Sequence, residues 1–360
     1  MDPRVREHAE LIAEHCVDIE AGDRVVIAAP PVASDLLTAL HEVIGDRGAV
    51  PLALYGRSGP ETRAYKRAAD EFPEPEHELA MVEGTDVHIS VRANRNVTEE
   101  GDVPAAKQSA HRAAREDVLD ERLSTRWVLT QYPAPANAQL AEMSTEAYEN
   151  FVYDAVNKDW AAQREHQERM VEILDPADEV RIVSGETTDV RMSVAGNPTI
   201  NDYAERNLPG GEVFTAPVVD SVEGEVLFDM PLYRNGREIT DAHLVFKDGE
   251  VVSHAASKNE DLLTSILETD AGSRRLGELG IGMNRDIDRF TYNMLFDEKM
   301  GDTVHMAVGR AYEDTVGEDN ERNESGQHVD MIVDMSEDSF VEVDGEVVQR
   351  DGTFVFEDGF

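Results

Sequence analysis

Positive charge is scarce in this sequence. Its 360 residues carry 75 acidic side chains against 33 Lys and Arg, a formal net charge of −42. Only six residues are lysine: Lys66, Lys107, Lys158, Lys247, Lys258 and Lys299. The acids are spread through every segment, as in REDVLDERLS and GEDNERNES, and form no tail. A diffuse acidic surface repels nucleic acid and anionic membranes, which both need a basic patch. It also strains a compact fold by self-repulsion, which roughly 1 M salt screens to about 3 Å. A halophilic, high-salt setting is the expectation that follows, and binding to a basic partner is the weaker alternative.

Cysteine is nearly absent. Cys16 is the single one, so no disulfide framework exists. It continues a stripe of Val5, Ala9 and Ile12 on an expected first helix, where a small buried thiol would sit. No apolar run approaches the roughly 20 residues of a membrane span, and MDPRVREHAELIAEH lacks the apolar core of a signal peptide. These features favour a soluble, cytoplasmic protein. Phosphate-cradling glycines are missing too. The turn after the first expected strand reads APPVAS, with neither G-x-G-x-x-G nor a P-loop lysine.

Regular patterning is present throughout, and 41 % of the residues are hydrophobic, enough for a packed core. DRVVIAA reads as a strand. SDLLTALHEVIGDRG follows as a helix, with Ser34 as its N-cap and Gly48 as its stop, and AVPLALY reads as the next strand. This βαβ unit implies a parallel sheet, which TDVHISV and TRWVLTQY extend. A long helical segment is expected from Thr145 to Leu174. Beyond it EVRIVS, DVRMSVA, EVFTAPVV, EVLFDMPLY and AHLVFKDGEVVSHAA come close together, and KDGE and VDGE read as turns of antiparallel hairpins. Asn259 is the candidate N-cap of an intervening helix, NEDLLTSILETD. The fold class expected is an α/β amino-terminal domain with a mainly parallel sheet (1–175), followed by a β-rich α+β carboxy-terminal domain (176–360).

Five potential metal ligands in the second half stand out from surface filler. Glu212 follows Pro209-Gly210-Gly211 and starts an apolar strand; a strand-edge Glu after a turn is the alternative. Glu278 lies among Gly277, Gly280, Gly282, Leu276, Leu279 and Ile281, where a carboxylate is costly unless paired, protonated or metal-bound. Its alternative is an ion pair with Arg274 or Arg275. In TVHMAVGRAY, period-two alternation puts His305 on a face with Thr303, Ala307 and Gly309, which leaves room for a ligand; an ordinary core histidine is the competing reading. In GQHVDMIV the same alternation sets His328 beside Asp330, where a solvated polar face is the rival, and Asp334 shares that face without joining the set. Three carboxylates and two imidazoles suit divalent Zn, Co or Mn. Two such ions leave one positive charge that a hydroxide would cancel, and two-metal sites of this composition serve hydrolysis.

Four ordered motifs, NLPGGEVFTAPV, RLGELGIGMN, LFDEKMGDTVHMAVGRAY and NESGQHVDMIVDM, resemble the metal-dependent aminopeptidase T / aminopeptidase S family of thermophilic-type exopeptidases. HAELIAEHCVDIEAGDRVVIAA and WVLTQYPAPANAQLAEMS extend the likeness over most of the chain. The resemblance implies two domains, a homodimer with sites opening to an internal cavity, and peptide substrates with a free amino terminus. It implies a dinuclear centre on Glu212, Glu278, His305, His328 and Asp330, and it alone lifts Tyr312, otherwise an ordinary buried aromatic, to a catalytic role. Glu278 is the preferred general base, with Glu212 as the alternative. Lys299, in DEK, is expected to pair with Asp297 or Glu298, and stabilising charge near the site is its alternative. Another dinuclear-metal hydrolase, or a non-catalytic metal-stabilised dimer, is the alternative function; the poor supply of bases around the motifs argues against a phosphoesterase.

Overall fold

A computed structural model describes residues 2–55, 59–234 and 236–360. Packing divides the chain into two units, Met1–Lys158 with Ala204–Gly210, and Asp159–Tyr203 with Gly211–Phe360. The division at Lys158 falls ahead of the compositional change near residue 175, because the Trp160–Leu174 helix belongs to the second unit.

The first unit is α/β. Strands Arg24–Ala28, Val50–Leu54, Val87–Arg92 and Arg126–Gln131 pair in parallel, and the two-residue strand Asn207–Leu208 adds a fifth parallel partner beside Arg126–Gln131. The helix after the first strand runs Ser34–Asp46 and buries Leu36, Leu37, Leu40, Val43 and Ile44. Ala33, not Ser34, occupies its N-cap, and no side chain caps it. Cys16 lies in a π-helical turn and is only half-buried, although Val5, Ala9 and Ile12 of its stripe are buried. The segment expected as one helix from Thr145 to Leu174 is two, Thr145–Val156 and Trp160–Leu174, because Asp159 caps the second by accepting from the amides of Ala161 and Ala162.

The second unit is β-rich and antiparallel. One sheet has eight strands, and its KDGE and VDGE corners join neighbouring strands as their turn residues require. A second sheet has five, ordered His328–Asp334, Thr303–Gly309, Leu276–Gly282, Glu212–Thr215 and Ile200–Asp202. One face of this five-stranded sheet supplies Val213, Leu279, Ile281, Val304, Met306, Val308, Val329, Met331 and Val333 to a large apolar core. Asn259 takes a left-handed conformation and makes no side-chain cap to the Glu260–Leu267 helix; its amide nitrogen donates instead to the carbonyl of Glu238.

Candidate metal centre

The other face of the five-stranded sheet carries the polar residues, because side chains alternate along each strand. Register then decides which of them meet. Ala307 lies opposite Glu278 on one neighbouring strand and opposite Asp330 on the other, so a methyl group separates two carboxylates across three strands. One pleat further along, His305 lies opposite Gly280, and Glu212 lies opposite Gly282. Small residues make the room. A Cβ on Gly280 would stand 2.0 Å from His305 Nε2 and 2.1 Å from its Cε1, so the imidazole fits only over glycine. Gly211 is needed for a different reason: its φ is +117°, and a Cβ there would stand 2.4 Å from that of Asn284.

All five expected ligands converge. His305 Nε2 is 3.2 Å from Glu278 Oε1 and 3.2 Å from Glu212 Oε2. His328 Nε2 is 3.2 Å from Asp330 Oδ1 and 3.8 Å from Glu278 Oε2. Glu278, His305 and Asp330 each offer a ligand atom within 4.8 Å of the other two. His328 is oriented from behind by an Nδ1 contact of 2.8 Å to the carbonyl oxygen of Arg310, the arrangement that aims a ligating Nε2. Tyr312 packs against this histidine with ring centroids 4.8 Å apart. It is not the buried aromatic its sequence suggested, since it is 44 % exposed.

Burial sets the electrostatics. Desolvation pushes the Glu212 carboxyl up to about 8, with Lys299 and His305 pulling the other way. Full burial would lower the pKa of His305, but its hydrogen bond to Glu278 and the charges of Glu212 and Glu278 prevail and raise it to about 9. His328 rises to about 10, with Asp330 overcoming desolvation, and Asp330 falls below its usual range, with His328 overcoming its own. Tyr312 is raised above its ordinary value by desolvation and then by the surrounding carboxylates; its exposure lets solvent screen part of that effect.

Lys299 keeps the expected pairing with Glu298 and gains partners that its sequence neighbourhood did not show. Its side chain is 0 % exposed, and its Nζ lies 3.0 Å from Glu212 Oε1 and 4.0 Å from Asp202, besides bonding Glu298. Asp297 takes no part in this pairing. It accepts from Thr291 N and Oγ1 and from Asn293 N, at 2.7–2.8 Å. Arg275, considered as a partner for Glu278, pairs with Glu250 instead. Gln167 was missed altogether. Buried on the Trp160–Leu174 helix, it donates to the carbonyl of Glu212 at 2.9 Å and so fixes that strand end. Its signal was readable: Trp160, Gln163, Gln167, Met170 and Leu174 form one buried helical stripe, and two glutamines on such a stripe require interior partners. Asp334 stays apart, accepting from the amide of Ser336.

The donor set fits divalent metal. Glu212 Oε2, Asp330 Oδ1 and His305 Nδ1 are buried without a hydrogen-bond partner. The two carboxylate oxygens meet only imidazole nitrogens, at 3.2 Å, and a cation would satisfy them more fully. A family model described as "Thermophilic metalloprotease (M29)" matches residues 1–360. The chain belongs to this family. As an M29 member it is 28 % identical to Aminopeptidase 2 of Geobacillus stearothermophilus, over 98 % of this chain and 97 % of that protein. It is 29 % identical to Aminopeptidase T of Thermus aquaticus, over 96 % and 95 % respectively. The solved structure of AmpT from Thermus thermophilus superposes with a TM-score of 0.87 at 24 % identity, covering 98 % of this chain and 99 % of that one, and shares its fold. Among the described residues no helix is long and apolar enough to cross a membrane.

Proposed function

We propose that this M29 chain is a metal-dependent aminopeptidase that removes the N-terminal residue of peptides, using two divalent ions held by Glu212, Glu278, His305, His328 and Asp330. The observation that carries the reading is the convergence of three carboxylates and two imidazoles on one glycine-lined sheet face, with buried carboxylate oxygens that face imidazole nitrogens but accept no hydrogen bond. The names of the full-length relatives supply the substrate class. Bound in this set, Zn²⁺, Co²⁺ or Mn²⁺ would lower the pKa of a water and polarise the scissile carbonyl.

The chain's own groups have separable tasks. Glu278, central in the cluster, takes the proton of the attacking water and passes it to the leaving amine. Tyr312, beside His328 and open to solvent, donates its hydroxyl to the developing oxyanion, a contribution of about 3 kcal/mol for one donor. Lys299 holds Glu212 in place and opposes the desolvation that raises its carboxyl. A cytoplasmic, halophilic homodimer is the setting we propose with this activity; the net charge of −42 supports the high-salt element.

Cleavage of aminoacyl-anilides in high salt tests the function. Chelation should abolish it, and Co²⁺ or Zn²⁺ should restore it, with two ions per chain by elemental analysis. Glu278→Gln should lose turnover; full activity with normal metal content would remove Glu278 from the base role.

A further inference from the structure

The first unit holds a second feature unrelated to this chemistry. Lys66, Gln108, His111, Arg112, Arg115, Val118, Leu119 and Arg122 line a cavity of about 320 Å³. No acidic residue is among them. In a chain where acids outnumber bases 75 to 33, a lining with four full cations, a histidine and no carboxylate runs against the composition. Three short helices, Pro60–Ala68, Ala105–Ala113 and Glu116–Ser124, bring these residues together.

Part of the charge is already balanced. Arg115 binds both oxygens of Glu78 at 2.5 Å, and Lys66 donates to Glu100 at 2.6 Å. These pairs fix the two side chains and leave unused protons, since an ammonium has three and a guanidinium five. Arg122 is anchored by Ser90 and lies over the Trp127 ring, 5.9 Å from its centroid. The Arg112 side chain has no hydrogen-bond or ion-pair partner among the described residues. With Glu78 and Glu100 balancing Arg115 and Lys66, the Arg112 side chain adds a cation that no acid among the described residues pairs. Val118 is buried and Leu119 is exposed, so one wall is apolar. The volume exceeds what a bare tetrahedral oxyanion needs and reaches the range of small-ligand pockets.

We propose that this pocket binds a small phosphate monoester, its dianionic head against Arg112, Arg115, Arg122 and Lys66 and its organic part against Val118 and Leu119. Guanidinium forks match phosphate oxygens and supply charge-assisted hydrogen bonds.

The test is titration of the metal-loaded full chain with phenyl phosphate, inorganic phosphate and acetate, at one fixed KCl concentration. Calorimetry and Trp127 fluorescence are the readouts. Phenyl phosphate should bind more tightly than inorganic phosphate, and acetate should give no saturable signal. Arg112→Ala should weaken phenyl phosphate about tenfold without changing the melting temperature, because Arg112 holds nothing else in place. Leu119→Asp, on an exposed position, should abolish binding. The proposal is overturned if neither phosphate saturates the protein at millimolar concentration. It is equally overturned if Arg112→Ala and Leu119→Asp bind phenyl phosphate as the wild type does, since the ligand then sits elsewhere, the metal centre included.

Discussion

Replacing Lys299 by methionine keeps a linear side chain of similar bulk and deletes one charge. In the native chain this ammonium is fully enclosed and lies 3.0 Å from Glu212, 4.0 Å from Asp202 and in contact with Glu298; those carboxylates are themselves only 7 %, 10 % and 15 % exposed. An exposed ion pair would be worth about 0–1 kcal/mol. Removing one partner of a buried pair strands the other charge and costs about 3–5 kcal/mol. That is a large share of the roughly 5–15 kcal/mol that holds a domain together. The measurement is guanidinium unfolding of chelated wild type and Lys299→Met at equal ionic strength. The expected difference is about 3–5 kcal/mol, with a similar m-value. Adding Zn²⁺ or Co²⁺ should narrow it, because a divalent ion at Glu212 replaces the missing positive charge and binds only the folded chain. A chelated difference below about 1 kcal/mol would refute the reasoning: Glu212 would then be satisfied without its lysine.

Three further outcomes follow from other residues. Gly280→Ala should weaken metal binding by about 10–100-fold, read by calorimetry, because the new methyl would stand 2.0 Å from His305 Nε2 and must displace that imidazole. His8 is buried, and desolvation lowers its pKa to about 3, well under the 6.5 of an unfolded chain; the unfolded state therefore takes up the proton first as pH falls, and His8 should remove about 2 kcal/mol of stability between pH 6.5 and pH 5, a loss absent from His8→Leu in paired melts. Raising KCl should raise the unfolding midpoint steadily, since 75 acids against 33 bases repel one another at low salt; a flat KCl series would sink the high-salt reading.

What the sequence showed and what it hid divides along physical lines. The parallel sheet of the first unit was legible because each strand is a compact β-branched run. Its fifth partner, Asn207–Leu208, was hidden: two residues carry no periodicity, and the pairing rests on contacts from far along the chain. The break at Asn157–Asp159 was missed because apolar spacing on both sides continues helical, and the cap that divides them is one aspartate. Lys299 meets its sequence neighbour Glu298 as expected, but its 3.0 Å contact to Glu212, on a strand far along the chain, was hidden.

The candidate metal face illustrates the same limit more sharply. Alternation within one strand places His328 beside Asp330, and His305 beside Ala307, from local rules alone. Whether those pairs meet depends on strand order and register. A one-residue slip of Thr303–Gly309 against its neighbours would turn His305 into the apolar core and bring Met306 to the carboxylates. The apolar face forbids that slip, since Val304, Met306 and Val308 are fully buried in contact with the core. The residues that fix the site's geometry are thus the hydrophobic ones on the reverse side. Their burial is what holds three carboxylates and two imidazoles together on one face.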